Sequence, residues 1–261
     1  MRAVTRNPDS PKAQALKLRG AVLETADFND GNSLRQVVAG CNFIFAITNF
    51  CVTQDADREY QQGRAIAEVV LTAALETLVV FIWSSLRILA NGQFTITICT
   101  TSTVKLKSQT TSSLPLYRIL YTEVWLSAFY QNYLHLPTVY GLQKTSPGRY
   151  CLIYPVNPGT KMPFTWVRDL GRLVLKIMED PARFHAKTVS LVSEFISPMD
   201  QLGIWKKEVS VQAQFESLSK EAYEKRPIDV HGCNPKLALT MAENMTRYAQ
   251  QEDWSLYREG A

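Results

Sequence analysis

The stretch from Arg2 to Asp27 constrains the fold more than any other part of the chain. Arg2-Ala3-Val4-Thr5 is a short β-prone run, and Arg6-Asn7-Pro8 follows at once. Ser10 suits a helix N-cap, with Pro11 in the first turn. The helix expected next runs through Ala13, Leu16 and Leu18, with Lys12, Lys17 and Arg19 on its wet side, and Gly20 ends it. Ala21-Val22-Leu23-Glu24 reads as the next strand, and Asp27 stands at its carboxyl end. Strand, helix and strand in so short a span form one unit of a doubly wound parallel sheet. Ligands of such sheets lie outside the carboxyl ends of the strands. Arg6 falls at such an end, and a planar guanidinium can grip a phosphate through two parallel charge-assisted hydrogen bonds.

The rest of the chain continues the alternation. Ser33 to Gly40 reads as a short amphipathic helix closed by glycine. Cys41-Asn42-Phe43-Ile44-Phe45-Ala46-Ile47 is a nearly continuous apolar run, hence an interior strand, and Thr48-Asn49-Phe50 stands at its carboxyl end. Asp55 to Ala74 predicts a long helix. Ala65 to Trp83 is apolar enough to suggest a membrane span, which needs about 20 such residues. Glu68 and Glu76 interrupt it at a cost a bilayer would feel, so a buried helix followed by a buried parallel strand fits better. With 261 residues, 46% of them hydrophobic and 20% charged, the chain can bury a sizeable core. A net charge of +4, spread along the chain, gives little reason to expect nucleic-acid binding. Cys41, Cys51, Cys99, Cys151 and Cys233 are scattered without metal-ligand spacing and read as reduced intracellular thiols.

These motifs together resemble the NmrA-like family of atypical short-chain dehydrogenases. RAVTRNP (Arg2 to Pro8) is similar to that family's second strand and NADP-selecting turn, and Thr48-Asn49-Phe50 to its "TN-aromatic" triplet. Gln61-Gln62-Gly63-Arg64 resembles its "QGK" helix, Ser84-Ser85-Leu86 its "SSL" strand end, Val167 to Gly171 its "VxDxG" helix start, and Met241 to Met245 its "AENM" helix. The resemblance implies a Rossmann-like doubly wound parallel sheet, here N-terminally truncated. It also implies a smaller C-terminal substrate-side α/β lobe, dividing the chain at 1–148 and 149–261. A strand, a glycine-rich loop and a helix precede the RAVTRNP motif in the family, so the chain is expected to lack its first βα unit. The cofactor implied is NADP(H). The residues implied to hold it are Arg6, Asn7, Pro8, Asp9, Ser10, Asp27, Phe28, Thr48, Asn49 and Phe50, with Trp125, Leu126, Ser127 and Ala128 shaping the pocket. No catalytic residue is assigned.

Two departures stand out. Thr122 to Phe129 aligns with a family loop over the nicotinamide, but the usual Pro-Gly is Thr122-Glu123 and the usual Asn is Ala128. Phe94 to Thr111 is Thr-rich and lacks the family's "FD-S/G-K" lysine, which Lys105 and Lys107 cannot be assumed to replace. Codons exist for Thr95 to Ser108 whose bases, read two nucleotides on, spell Asn-Tyr-His-Leu-Tyr-His-Phe-Asp-Ser-Lys-Ala-Glu-Val-Ala, the family motif, so a local frame shift is one explanation. The functions that follow are an NADP(H)-dependent oxidoreductase, acting on a secondary-metabolite carbonyl, enone or imine, or a non-catalytic NADP(H) sensor that regulates a protein partner such as a transcription factor. An inactive remnant is the third. A cytoplasmic setting is expected, with the nucleus open to the regulator, and neither a membrane nor direct nucleic-acid contact.

Overall fold

The computed structural model describes residues 1–48, 56–74, 78–85, 119–231 and 235–250. Asn49, Phe50, Leu86 and the Phe94–Thr111 run, with Lys105 and Lys107, lie outside the described residues.

In chain order the elements are β1 (Arg2–Thr5), α1 (Pro11–Leu18), β2 (Val22–Thr25), α2 (Gly31–Val38), β3 (Phe43–Ile47), α3 (Ala56–Ala73), β4 (Val79–Ser85), β5 (Ile119–Leu126) and β6 (Ala128–Phe129). Next come α4 (Asn132–His135), α5 (Pro137–Tyr140), β7 (Gln143–Ser146), β8 (Arg149–Tyr154), β9 (Met162–Thr165), α6 (Val167–Glu179), α7 (Pro181–Phe184) and β10 (Lys187–Leu191). The last are β11 (Glu194–Ile196), α8 (Pro198–Val209), β12 (Gln212–Ser217), α9 (Lys220–His231) and α10 (Pro235–Gln250). They form two compact units, whose described residues are 1–48, 56–74, 78–84, 119–123 and 177–187 in one, and 85, 124–176, 188–231 and 235–250 in the other.

The first unit opens with the strand-helix-strand motif read from the sequence. β1 and β2 pair in parallel from Arg2↔Val22 to Thr5↔Thr25. Ser10 caps α1 by accepting the Ala13 N–H at 3.3 Å. Gly20 takes a positive φ of 88° and its N–H reaches the Lys17 carbonyl at 2.9 Å, the left-handed helix stop glycine permits. α2 starts two residues before Ser33, because the Asp30 carboxylate caps it through the Asn32 N–H at 2.9 Å. Leu34, Val37 and Val38 of α2, Val69 and Val70 of α3, and Val79 and Phe81 of β4 form one buried cluster.

β3 and β4 run parallel, Phe43↔Val80 to Ile47↔Ser84, in a four-stranded sheet ordered β10-β5-β4-β3. β4 is covered on both faces, with Val79, Val80, Phe81 and Ile82 all buried. Within the Ala65–Trp83 run, residues 65–73 are helix and 79–82 buried parallel strand, and no helix among the described residues is long and apolar enough to cross a membrane. β3 differs from its expected interior place. It ends its sheet, and Phe43, Phe45 and Ile47 are 44%, 42% and 40% exposed. Its alternate residue Ala46 is buried in the cluster, so one face of the strand is covered.

The second unit is held by two three-stranded sheets. In β12-β8-β7, the central β8 runs parallel to β12, Gln212↔Arg149 to Ser217↔Tyr154, and antiparallel to β7. In β11-β9-β6, the central β9 is antiparallel to β11 and parallel to β6. Leu152, Tyr154, Met162, Phe164, Tyr223, Met241, Ala242 and Met245 form its core. The Met241–Met245 motif thus supplies the apolar stripe of α10. α8 begins with a capping box: Ser197 and Asp200 each bond the other's backbone N–H at 3.2 Å.

Candidate functional site

The carboxyl ends of β1 and β2 gather charged and polar side chains. The chain leaves β1 through a closed turn. The Asn7 side-chain oxygen accepts the Asp9 N–H at 3.1 Å, and its carbonyl accepts the Ser10 N–H at 3.3 Å. The Gln14 amide donates to the Pro8 carbonyl at 2.8 Å, tying the turn to α1. Arg6 is exposed on this turn. Across from it, Asp27 lies near the start of the loop after β2. Its carboxylate accepts the Asn29 N–H at 2.8 Å and the Asn29 amide at 2.6 Å. The Ser33 hydroxyl accepts the Asp27 N–H at 3.1 Å and donates to the Asp30 carbonyl at 2.9 Å. Asn29 is tethered in turn by the Gln62 amide of α3 at 3.1 Å.

The Asn29 backbone N–H is the main reason the Asp27 carboxyl lies below the ordinary range, and the charges of Arg6 and Arg58 push it the same way. Arg6, Asn7, Pro8, Asp9, Ser10 and Asp27 are therefore brought together in the first unit, with Phe28 half-buried against its core. Arg58 carries no motif in the sequence, and Gln62 enters it only as part of the QGK-like helix, not as a site residue. Their signal is position: both lie in the first half of the helix that follows the Thr48 strand end. Thr48 itself is buried, and its hydroxyl donates to Glu59 Oε1 at 2.6 Å. Burial raises the Glu59 pKa, and the Thr48 hydroxyl pulls the other way.

The other expected residues belong to the second unit. Trp125 and Leu126 end β5, Ser127 follows, and Ala128 opens β6; all four are buried. The segment expected as a loop from Thr122 is thus strand as far as Leu126, because β5 lies between β10 and β4 in its sheet. Thr122 donates to the Phe184 carbonyl at 3.0 Å within the first unit. Ser127 and Thr165 hydroxyls are 2.5 Å apart, and Thr165 Oγ1 donates to the Leu191 carbonyl at 2.8 Å. Thr165 has one proton, so Ser127 is the donor to it.

Tyr140 and Lys144 carry the Tyr-x-x-x-Lys spacing of reductase dyads, but α5 ends at Tyr140 and Lys144 lies exposed on β7. No helical face holds the two together. Asp169, in the first turn of α6, accepts the Ser193 hydroxyl at 2.7 Å and an Arg172 guanidinium nitrogen at 3.2 Å, in keeping with a structural part.

The family model described as "NmrA-like family" matches residues 1–256. An NmrA-like family domain-containing oxidoreductase, cpsB, of Aspergillus campestris is 26% identical over 216 residues; the match takes in 74% of this chain and 60% of that relative. Among solved structures, NmrA, a negative transcriptional regulator in complex with NADP, superposes with a TM-score of 0.73 at 16% identity, covering 96% of this chain and 74% of that one. The NADPH-dependent quinone oxidoreductase QOR2 of Escherichia coli, complexed with NADPH, gives 0.71 at 19% identity, covering 99% and 84%.

Proposed function

The chain belongs to the NmrA-like family, and from that premise we propose that it binds NADP(H) and acts as an oxidoreductase on a carbonyl, enone or imine of secondary metabolism in the cytoplasm. The observation that carries this reading is Arg6 on a closed turn at the carboxyl end of the parallel β1–β2 pair, its charge felt by Asp27. That donor set fits the adenosine end of the dinucleotide. The Arg6 guanidinium suits a 2′-phosphate, held bidentately. Asp27 stays ionised, and its carboxylate beside Arg6 and Arg58 fixes the local balance of charge. The Asn7, Ser10 and Asn29 bonds hold the two loops rigid, which limits the ordering cost of binding. Once bound, the nicotinamide supplies or takes up a hydride. The oxidoreductase relatives cpsB and QOR2 support the same reading.

A second reading is a dinucleotide-binding sensor that regulates a protein partner without turnover. It is favoured by the lack of a helix-borne Tyr-x-x-x-Lys pair among the described residues, Tyr140 and Lys144 lying on a helix and a strand, and by likeness to the regulator NmrA. One experiment separates the readings. The purified chain is titrated with NADPH and NADH, then incubated with NADPH and a panel of quinones, enones and imines. NADPH is expected to bind more tightly, and Arg6→Ala to lose about 10- to 100-fold for NADPH but little for NADH. An unchanged NADPH-to-NADH ratio in Arg6→Ala would overturn the site. Binding without NADPH consumption would favour the sensor.

A further inference from the structure

The second unit contains a cavity of about 250 Å³ that shares no lining residue with the dinucleotide candidates. Its walls are mostly apolar and aromatic, from Tyr130, Tyr133, Ile204 and Trp205, with Gln201 and Glu194 as polar members. Tyr133 meets Trp205 edge-on, ring centroids 5.8 Å apart, and lies nearly parallel to Tyr130 at 6.3 Å. The hydroxyl protons around it are already committed. Tyr130 donates to Glu194 Oε1, and Tyr133 donates to Gln201 Oε1 at 2.7 Å. Burial first, and the Glu194 carboxylate as well, push the Tyr130 hydroxyl pKa upward, so it remains a protonated donor to Glu194.

Gln201 is the exception to this full pairing. It is 3% exposed, and its Oε1 also lies 3.1 Å from the Tyr154 hydroxyl. Its Nε2 is buried with no hydrogen-bond partner. A buried donor left unmet is costly, and a cavity beside it offers room for the missing acceptor. Volume limits what can supply one: an apolar cavity of roughly 150 Å³ takes up benzene, so this one suits a ring system with a substituent. Charge limits it further. Glu194 and Glu208 both line the cavity, which disfavours an anion.

We propose that this cavity binds a small, uncharged aromatic carbonyl compound, its ring against Tyr133 and Trp205 and its oxygen accepting from Gln201 Nε2. The site is internal to the second unit and does not depend on dinucleotide binding.

The test is calorimetric titration of the whole chain, without NADPH, using 1-indanone as probe and indene and benzoate as comparators. Indanone is expected to bind in the millimolar range or tighter, indene about tenfold more weakly for want of the acceptor, and benzoate not measurably. Ile204 is half exposed, so Ile204→Trp can fill the cavity without disturbing the core. It is expected to weaken indanone at least tenfold at an unchanged melting temperature. Gln201→Leu is expected to make indanone and indene bind alike. Absence of indanone binding, equal binding of indene to the wild type, or full indanone binding by Ile204→Trp would each overturn the proposal.

Discussion

Two strands that look alike in the sequence fare differently in the two units. β3, with Phe43, Ile44, Phe45, Ala46 and Ile47, and β8, with Cys151, Leu152, Ile153 and Tyr154, are both short apolar runs. β8 lies between β12 and β7, and its Cys151, Leu152 and Tyr154 are fully buried. β3 ends its sheet and leaves three large side chains about two-fifths exposed. An apolar run therefore identifies a strand, but it does not settle whether both faces are covered. That depends on which elements pack over each face, and those elements are distant in sequence.

The largest expected effect follows from that contrast. Phe164 of β9 is fully buried and stacks with Tyr130 and Tyr133 at 5.2 and 5.8 Å. Phe164→Ala is expected to cost about 3–5 kcal/mol, for the lost burial and the cavity left behind. Phe45→Ala is expected to cost less, about 1–2 kcal/mol, since about two-fifths of its surface is already in water. Urea unfolding of both variants checks this. Equal costs would mean that β3 is covered as fully as β9 is.

A smaller effect probes the buried polar pairs. In the second unit, the Tyr154 hydroxyl donates to the Tyr140 carbonyl at 2.9 Å and lies 3.1 Å from Gln201 Oε1. Tyr154→Phe keeps the ring and removes both contacts, leaving the Tyr140 carbonyl without this donor. A loss of about 1–2 kcal/mol is expected by the same unfolding assay. A neutral result would show that the polar network adds little to a core already set by its aromatic rings.

How much of this was legible depended on whether the physics was local. The β1-α1-β2 motif could be read because each signal acts within a few residues: Ser10 reaches Ala13, and Gly20 reaches Lys17. Arg6 and Asp27 could be read because the carboxyl ends of parallel strands are neighbours by topology. Glu59 could not, since its partner Thr48 belongs to a different element and a glutamate in a helix reads as solvent-facing by default. The Gln201 cavity was invisible for the same reason. Its walls come from the α4 region, β11 and α8, which have no common sequence pattern. Thr122 to Leu126 is strand where the resemblance implies a loop, in keeping with the apolar, β-prone Val124-Trp125-Leu126.

The smallest effect is expected from pH, and it distinguishes the units by chemistry. The polar pair in the core of the first unit, Thr48–Glu59, contains a carboxyl; its counterpart in the second joins tyrosines to an amide. Burial raises the Glu59 pKa above the ordinary glutamate value of 4.5, partly offset by the Thr48 hydroxyl. An acid with a raised folded pKa favours folding while protonated in both states. Its contribution is complete below pH 4.5 and is lost as pH rises through the folded value. Glu59→Gln stays neutral and keeps an acceptor for Thr48, so it should remove this decline. Thr48→Val takes away the bond that stabilises the charged form, so it should steepen it. Burial pushes the Tyr154 hydroxyl up instead, so its network with Tyr133 and Gln201 brings no matching decline in this range. Hydrogen exchange between pH 4 and 8, compared for β4 and β8 amides after correction for intrinsic rates, reads the units separately. A wild-type decline confined to β4 and flattened by Glu59→Gln is the expected outcome. A decline that persists in Glu59→Gln would assign the pH dependence to another group.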